Sequence, residues 1–108
     1  MITPYEFEKL QREKNVDRYI EEIDKKIEEY AAKNMYPWVE IILEGELSVH
    51  ERDCIAKAYK SAGWKGVYHQ TSSENGENAG LTTFVFLTGK TENVFIDCHR
   101  NIGRWHRL

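Results

Sequence analysis

The stretch Leu81-Thr82-Thr83-Phe84-Val85-Phe86-Leu87-Thr88 constrains the fold most tightly. Successive side chains of a strand point to opposite faces. Phe84 and Phe86 therefore share one face, and Val85 and Leu87 the other. A strand apolar on both faces belongs at the centre of a sheet, with neighbours on either side. The rest of the chain has to supply those neighbours and the cover.

Two neighbours are visible. Tyr36 to Leu43 reads as a strand built on Trp38, Val39, Ile41, Ile42 and Leu43, with Pro37 tolerated at its start and Gly45 at its end. Trp64 to Thr71 reads as a second strand, weakened by Gly66. Between them, Ser48-Val49-His50-Glu51 has the pattern of a capping box. The helix it opens carries Ile55, Ala58, Tyr59 and Ala62 on one face and stops at Gly63. Ser72 to Gly80 is small, polar and acidic apart from Ala79, and is expected to be a mobile loop. Gly89 to Asn93 reads as a turn, and Val94-Phe95-Ile96 as a possible fourth strand.

The N-terminal third is helical. Thr3 caps it, Pro4 takes the first helical position and Glu6 completes a capping box. Glu21/Lys25, Glu22/Lys26 and Glu29/Lys33 sit four apart in the favourable order. Asn34 is a reasonable C-cap. Val16, Ile20, Ile23, Ile27 and Ala31 form one apolar stripe. At about 100° per residue, Phe7 and Leu10 project to nearly the opposite side. Either the helix breaks near Asn15-Val16-Asp17, or it is continuous and Phe7 and Leu10 face another molecule.

These elements predict one α/β (α+β) domain over 1–108. Its order is an N-terminal helix or helix pair, then β-α-β-β with a further strand possible. Residues 1–34 form the helical segment, 36–96 the core and 97–108 a basic tail. The strand-helix-strand unit implies a parallel or split crossover. The last two clear strands imply an antiparallel hairpin with a long loop. The expected product is a small mixed sheet covered by helices on one face.

Composition removes several classes of function. With 108 residues, 41% hydrophobic and 31% charged, the chain suits one folded core under a charged surface. A net charge of −3 is too small for a nucleic-acid mimic or a strongly basic nucleic-acid binder. Two cysteines, Cys54 and Cys98, make no disulfide framework, and reduced thiols are expected. The start Met1-Ile2-Thr3-Pro4 has no signal-peptide pattern, and no apolar run approaches membrane-spanning length. A cytoplasmic protein that does not enter the membrane is expected.

Motifs of chemistry are weak. Gly89-Lys90-Thr91 resembles the end of a phosphate-binding loop, but the Gly required five residues earlier is Phe84 and an extended segment follows. Asp97, Cys98, His99 and His106 lack the paired spacing of a zinc site. No metal and no cofactor are therefore expected. Histidines 50, 69, 99 and 106 include residue types for acid-base work. His69 shares a strand face with Lys65, which suits a small histidine-dependent hydrolase or nuclease. The plainer reading puts His69 on the solvent face of its strand. Cys54 lies near the start of the middle helix and reads as a small, partly buried residue.

The two ends of the chain are the more distinctive parts. His99 to Leu108 holds three arginines, two histidines, Trp105 and no acidic side chain. Arg100, Arg104, Trp105 and Arg107 are the residue types that anchor protein interfaces, and they also suit phosphate contact and base stacking. Trp105 and Ile102 alternatively pack the tail onto the body. Phe7 and Leu10 are the candidates for self-association.

The charged helical start from Thr3-Pro4-Tyr5-Glu6 to Lys33, the strand Val39-Glu40-Ile41-Ile42-Leu43 and the Ser48-led helix ending in Gly63-Trp64 give a layout that resembles the small accessory proteins of tailed bacteriophages. The resemblance covers most of the chain but carries no diagnostic motif, so it assigns no residue a role. It implies a protein of the host cytoplasm that binds and modulates a host or phage macromolecule. The expected function is thus a non-enzymatic binding or regulatory module acting on a protein partner, with a homodimer as one form. Nucleic-acid binding through the C-terminal segment is the alternative.

Overall fold

The computed structural model describes residues 1–33, 38–74, 76, 79–89 and 105–107. Its order is α1 (Pro4–Lys33), β1 (Trp38–Glu44), α2 (Val49–Ser61), β2 (Gly66–Thr71), β3 (Leu81–Leu87) and β4 (His106–Arg107). The strands form one sheet in the order β1-β3-β2-β4. As its doubly apolar pattern requires, β3 lies inside, with Phe84, Val85 and Phe86 fully buried.

The β1-α2-β2 unit is a split crossover. β1 and β2 run the same way, and β3 enters between them, antiparallel to both. Trp38 pairs with Leu87 on one side, and Gly66 pairs with Leu87 on the other. β4 adds antiparallel to β2, pairing His69 with His106. The mixed sheet expected from the sequence is therefore antiparallel at every described pairing. The returning hairpin strand fills the gap that a direct parallel pair would have closed. The fourth described strand lies in the C-terminal segment. The Val94-Phe95-Ile96 strand and the Asn34 cap lie outside the described residues.

Both helices pack on one face. Val39, Ile41, Leu43, Val67, Phe84 and Phe86 present it, and Ile23 of α1 with Ile55, Ala56 and Tyr59 of α2 close it. Tyr59 ties the helices together, its hydroxyl donating to Asp24 Oδ1 at 2.6 Å. Burial and this bond together push the Tyr59 phenol up. The opposite face gathers Trp38, Tyr68, Val85 and Leu87, with Trp105 packed against them.

α2 opens on the predicted box. Ser48 Oγ accepts from Glu51 N at 3.2 Å, and Glu51 Oε1 accepts from Ser48 N at 3.4 Å. We expect Ser48→Ala to destabilise the fold by about 1 kcal/mol in urea unfolding, because it strips the first-turn N–H groups of their acceptor. The helix ends at Gly63, whose φ of 115° suits glycine. Its buried residues are Arg52, Ile55, Ala56 and Tyr59. Ala58 and Ala62, expected on the buried face, are exposed. Arg52 takes the stripe position because partners in the sheet and the following turn receive its guanidinium.

α1 is one continuous helix, without a break near Asn15. Thr3 Oγ1 accepts from Glu6 N at 3.1 Å. Only its second half docks, through Val16, Tyr19, Ile20, Ile23, Ile27 and Tyr30. Among the described residues no helix is long and apolar enough to cross a membrane.

Candidate functional site

The first half of α1 is a projecting arm. Every residue from Pro4 to Asn15 is exposed. Phe7 is 56% exposed and Leu10 52%, and Ile2 and Tyr5 are also exposed. A free helix of about twelve residues is marginal in water. This one holds because it continues a helix whose other half is packed. Phe7 and Leu10 lie one turn apart and face away from the docked stripe. Tyr5 lies on the other side, toward α2, where it lines a cleft with Val16.

The C-terminal residues contribute differently. Trp105 is half-buried and meets Tyr68 edge-on, with ring centroids 6.4 Å apart at 88°. It is part of the cover on the second face of the sheet. Arg107 is exposed in β4, opposite Tyr68. Arg100 and Arg104 lie outside the described residues, as do Cys98 and His99.

A second polar assembly joins α2, β2, the turn after β2 and β4. Its hub is Glu74. Glu74 Oε1 accepts from Arg52 Nη1 at 2.5 Å, from Thr71 N at 2.9 Å and from Thr71 Oγ1 at 3.0 Å. Glu74 Oε2 accepts from His106 Nε2. Arg52 is 3% exposed and also donates through Nε to Leu47 O at 3.1 Å. Its Nη1 approaches His69 Nδ1 at 3.3 Å. Since arginine has only donors, His69 Nδ1 accepts and the ring proton sits on Nε2. That nitrogen faces Asp53 Oδ1 at 3.2 Å. The His69 and His106 rings stack, 5.2 Å apart and 12° from parallel.

The electrostatics follow from these contacts. Burial, reinforced by the Arg52 charge, lowers the His69 pKa to about 4 against the pull of Asp53. His69 is therefore neutral near pH 7. Burial pushes the Glu74 carboxyl up, but bonds from His106 and Thr71 and the Arg52 charge outweigh it and hold the pKa at about 2.

Two expectations are corrected here. His69 is 0% exposed and turned toward α2, so it does not lie on the solvent face of its strand. The segment after Thr71 is anchored at its start. Besides the Glu74 bonds, Glu46 Oε1 accepts from Ser72 Oγ at 3.0 Å and from Ser73 N at 2.8 Å. Hydrogen bonds from the Ser73 hydroxyl and backbone and from Ser72 lower the Glu46 pKa.

Arg52 and Glu74 spend their polar atoms within the network, and Arg52 is divided among Leu47, Glu74 and His69. His69 Nδ1 faces Arg52, while the buried Nε2 lies 3.2 Å from Asp53 Oδ1 without making a hydrogen bond. Such an assembly fastens elements together, and its buried cation is turned to protein acceptors. Glu74, Arg52 and Asp53 went unrecognised in the sequence. The one readable signal was an arginine three residues before Ile55, on the buried stripe of an amphipathic helix.

None of the protein-family models, curated proteins or solved structures compared with this chain matches it.

Proposed function

We propose that the protein is a non-enzymatic binding module that modulates a host or phage macromolecule by gripping a protein partner with the first half of α1. One observation supports this most: a helical arm carrying Phe7 and Leu10, each more than half exposed, on the side turned away from the body. An apolar pair on a preformed helix loses little entropy on docking, and helix-in-groove binding uses such anchors. Glu6, Gln11 and Lys14 around the pair suit a polar rim. Arg107 in β4, with Arg100 and Arg104 of the same basic segment, supplies a second contact in this reading, while Trp105 holds that segment on the sheet.

The Phe7→Glu/Leu10→Glu double variant tests it. Stability should stay within about 0.5 kcal/mol of wild type, because both side chains are at the surface. A protein captured from the native host by the full chain should be lost with the variant. Light scattering reads self-association, and equal masses for wild type and variant remove that form of the proposal. Equal capture by both proteins overturns the proposal itself. Retardation of RNA or DNA that weakens steeply with salt favours nucleic acid instead.

A further inference from the structure

The inner side of the arm and the start of α2 enclose a cleft of about 410 Å³, lined by Tyr5, Lys9, Arg12, Glu13, Val16, Asp17, His50 and Cys54. That volume is in the range that seats small molecules, about 300–1,000 Å³. Its walls carry both signs of charge: Lys9 and Arg12 beside Glu13 and Asp17. Its lining also includes a nucleophile beside a base. Cys54 and His50 are one turn apart on α2, with Cys54 Sγ 3.8 Å from His50 Nε2. Cys54 is a free, half-buried thiol. Neither side chain takes part in the Glu74 network or the Phe7/Leu10 surface. A thiol beside a base, in a concavity also lined by cations and carboxylates, matches a small ligand that carries both charges and a reactive sulfur.

We propose that Cys54 is a thiol–disulfide exchange site for a zwitterionic peptide disulfide of the glutathione class, with His50 accepting the thiol proton and the mixed-charge walls seating the peptide. Cys54 Sγ attacks one sulfur of the disulfide as His50 Nε2 takes its proton. A bond forms between Cys54 and that sulfur, and the bond of the incoming disulfide breaks. The electron pair leaves with the departing peptide thiolate, which then takes the proton from His50. The protein thiol is oxidised to a mixed disulfide, and half of the reagent is reduced to a thiol. Lys9 and Arg12 pair the peptide carboxylates, and Glu13 and Asp17 pair its ammonium group. The attached peptide would then occupy the notch between the arm and α2.

The test uses the full chain with Cys98→Ser, so that one thiol remains. Oxidised glutathione is added and the intact mass is followed in time, with uncharged hydroxyethyl disulfide as the comparison reagent. One glutathionyl group should be added, roughly tenfold faster than in the same chain unfolded in urea. His50→Gln should remove most of that acceleration while the circular dichroism spectrum stays that of wild type. Lys9→Gln/Arg12→Gln should lower the glutathione-to-hydroxyethyl rate ratio about threefold. A folded protein reacting no faster than the unfolded chain, or a His50→Gln protein as fast as its parent, overturns the exchange site. An unchanged rate ratio in the double variant overturns the peptide class.

Discussion

Arg52→Ala should lower the unfolding free energy by about 3 kcal/mol and Tm by more than about 10 °C. Few substitutions in a domain of this size would cost as much, because total stability is about 5–15 kcal/mol. The reason lies in what remains behind. Arg52 is buried and donates to Glu74 Oε1 and to Leu47 O. Without it, Glu74 keeps a charge that has lost its closest cation, and Leu47 O loses a donor where the chain enters α2. Arg52→Lys should recover only part of the loss, because one ammonium cannot reproduce a fork that spans two acceptors. Adding Glu74→Gln to Arg52→Ala should cost less than the sum of the two single changes, since the stranded charge is then gone. Urea unfolding at constant m-value reads all four proteins. A loss below about 1 kcal/mol for Arg52→Ala would show that the network is ornamental.

The second large effect is acid lability centred on His69. Its ring titrates near 6.5 in an unfolded chain but only at about 4 in the fold. Between those values the unfolded state binds more protons, so stability rises with pH there. The contribution is complete above about pH 6.5, shrinks as pH falls toward 4, and shrinks no further below that. A tenfold change in proton affinity corresponds to about 1.4 kcal/mol, so the loss is on the order of 3 kcal/mol. Glu74 extends the decline: its pKa is held at about 2, so its contribution falls away as pH drops below the usual 4.5. His69→Leu should flatten the curve between pH 6.5 and 4 and leave the lower limb in place. Unfolding series at half-unit pH steps would show the difference, and parallel curves for both proteins would refute the assignment.

Much of the architecture was legible because it is written in local periodicity. The double-sided run Leu81–Leu87 announced the central strand, and Ser48 with Glu51 and Gly63 marked both ends of α2. The split crossover was one of two outcomes the element order allowed. What escaped was non-local. Glu74 sits among small polar residues that look like a solvated loop, yet it is tied to Arg52 across the fold. β4 is two residues long and has no period to detect. Arg52 broke the apolar stripe of α2 and misdirected the reading of its buried face toward Ala58 and Ala62. Of the candidate site, Phe7 and Leu10 were readable as misplaced apolar residues, and both are exposed. The Cys54–His50 pair has no sequence motif, because the histidine precedes the cysteine by one helical turn.

The strand order also dictates a timetable for folding. β1 can pair only with β3, so Trp38 waits for Leu87, and β2 waits for the same segment. During synthesis the two helices can form early, but no pair among the first three strands can close until the central one has been made. Until then two apolar strands stand with open edges. Such late, long-range closure is slow and leaves the nascent chain sticky. A chain truncated before Leu81 should therefore be helical and sheetless, and once released it should bind chaperones more than a chain truncated after residue 87.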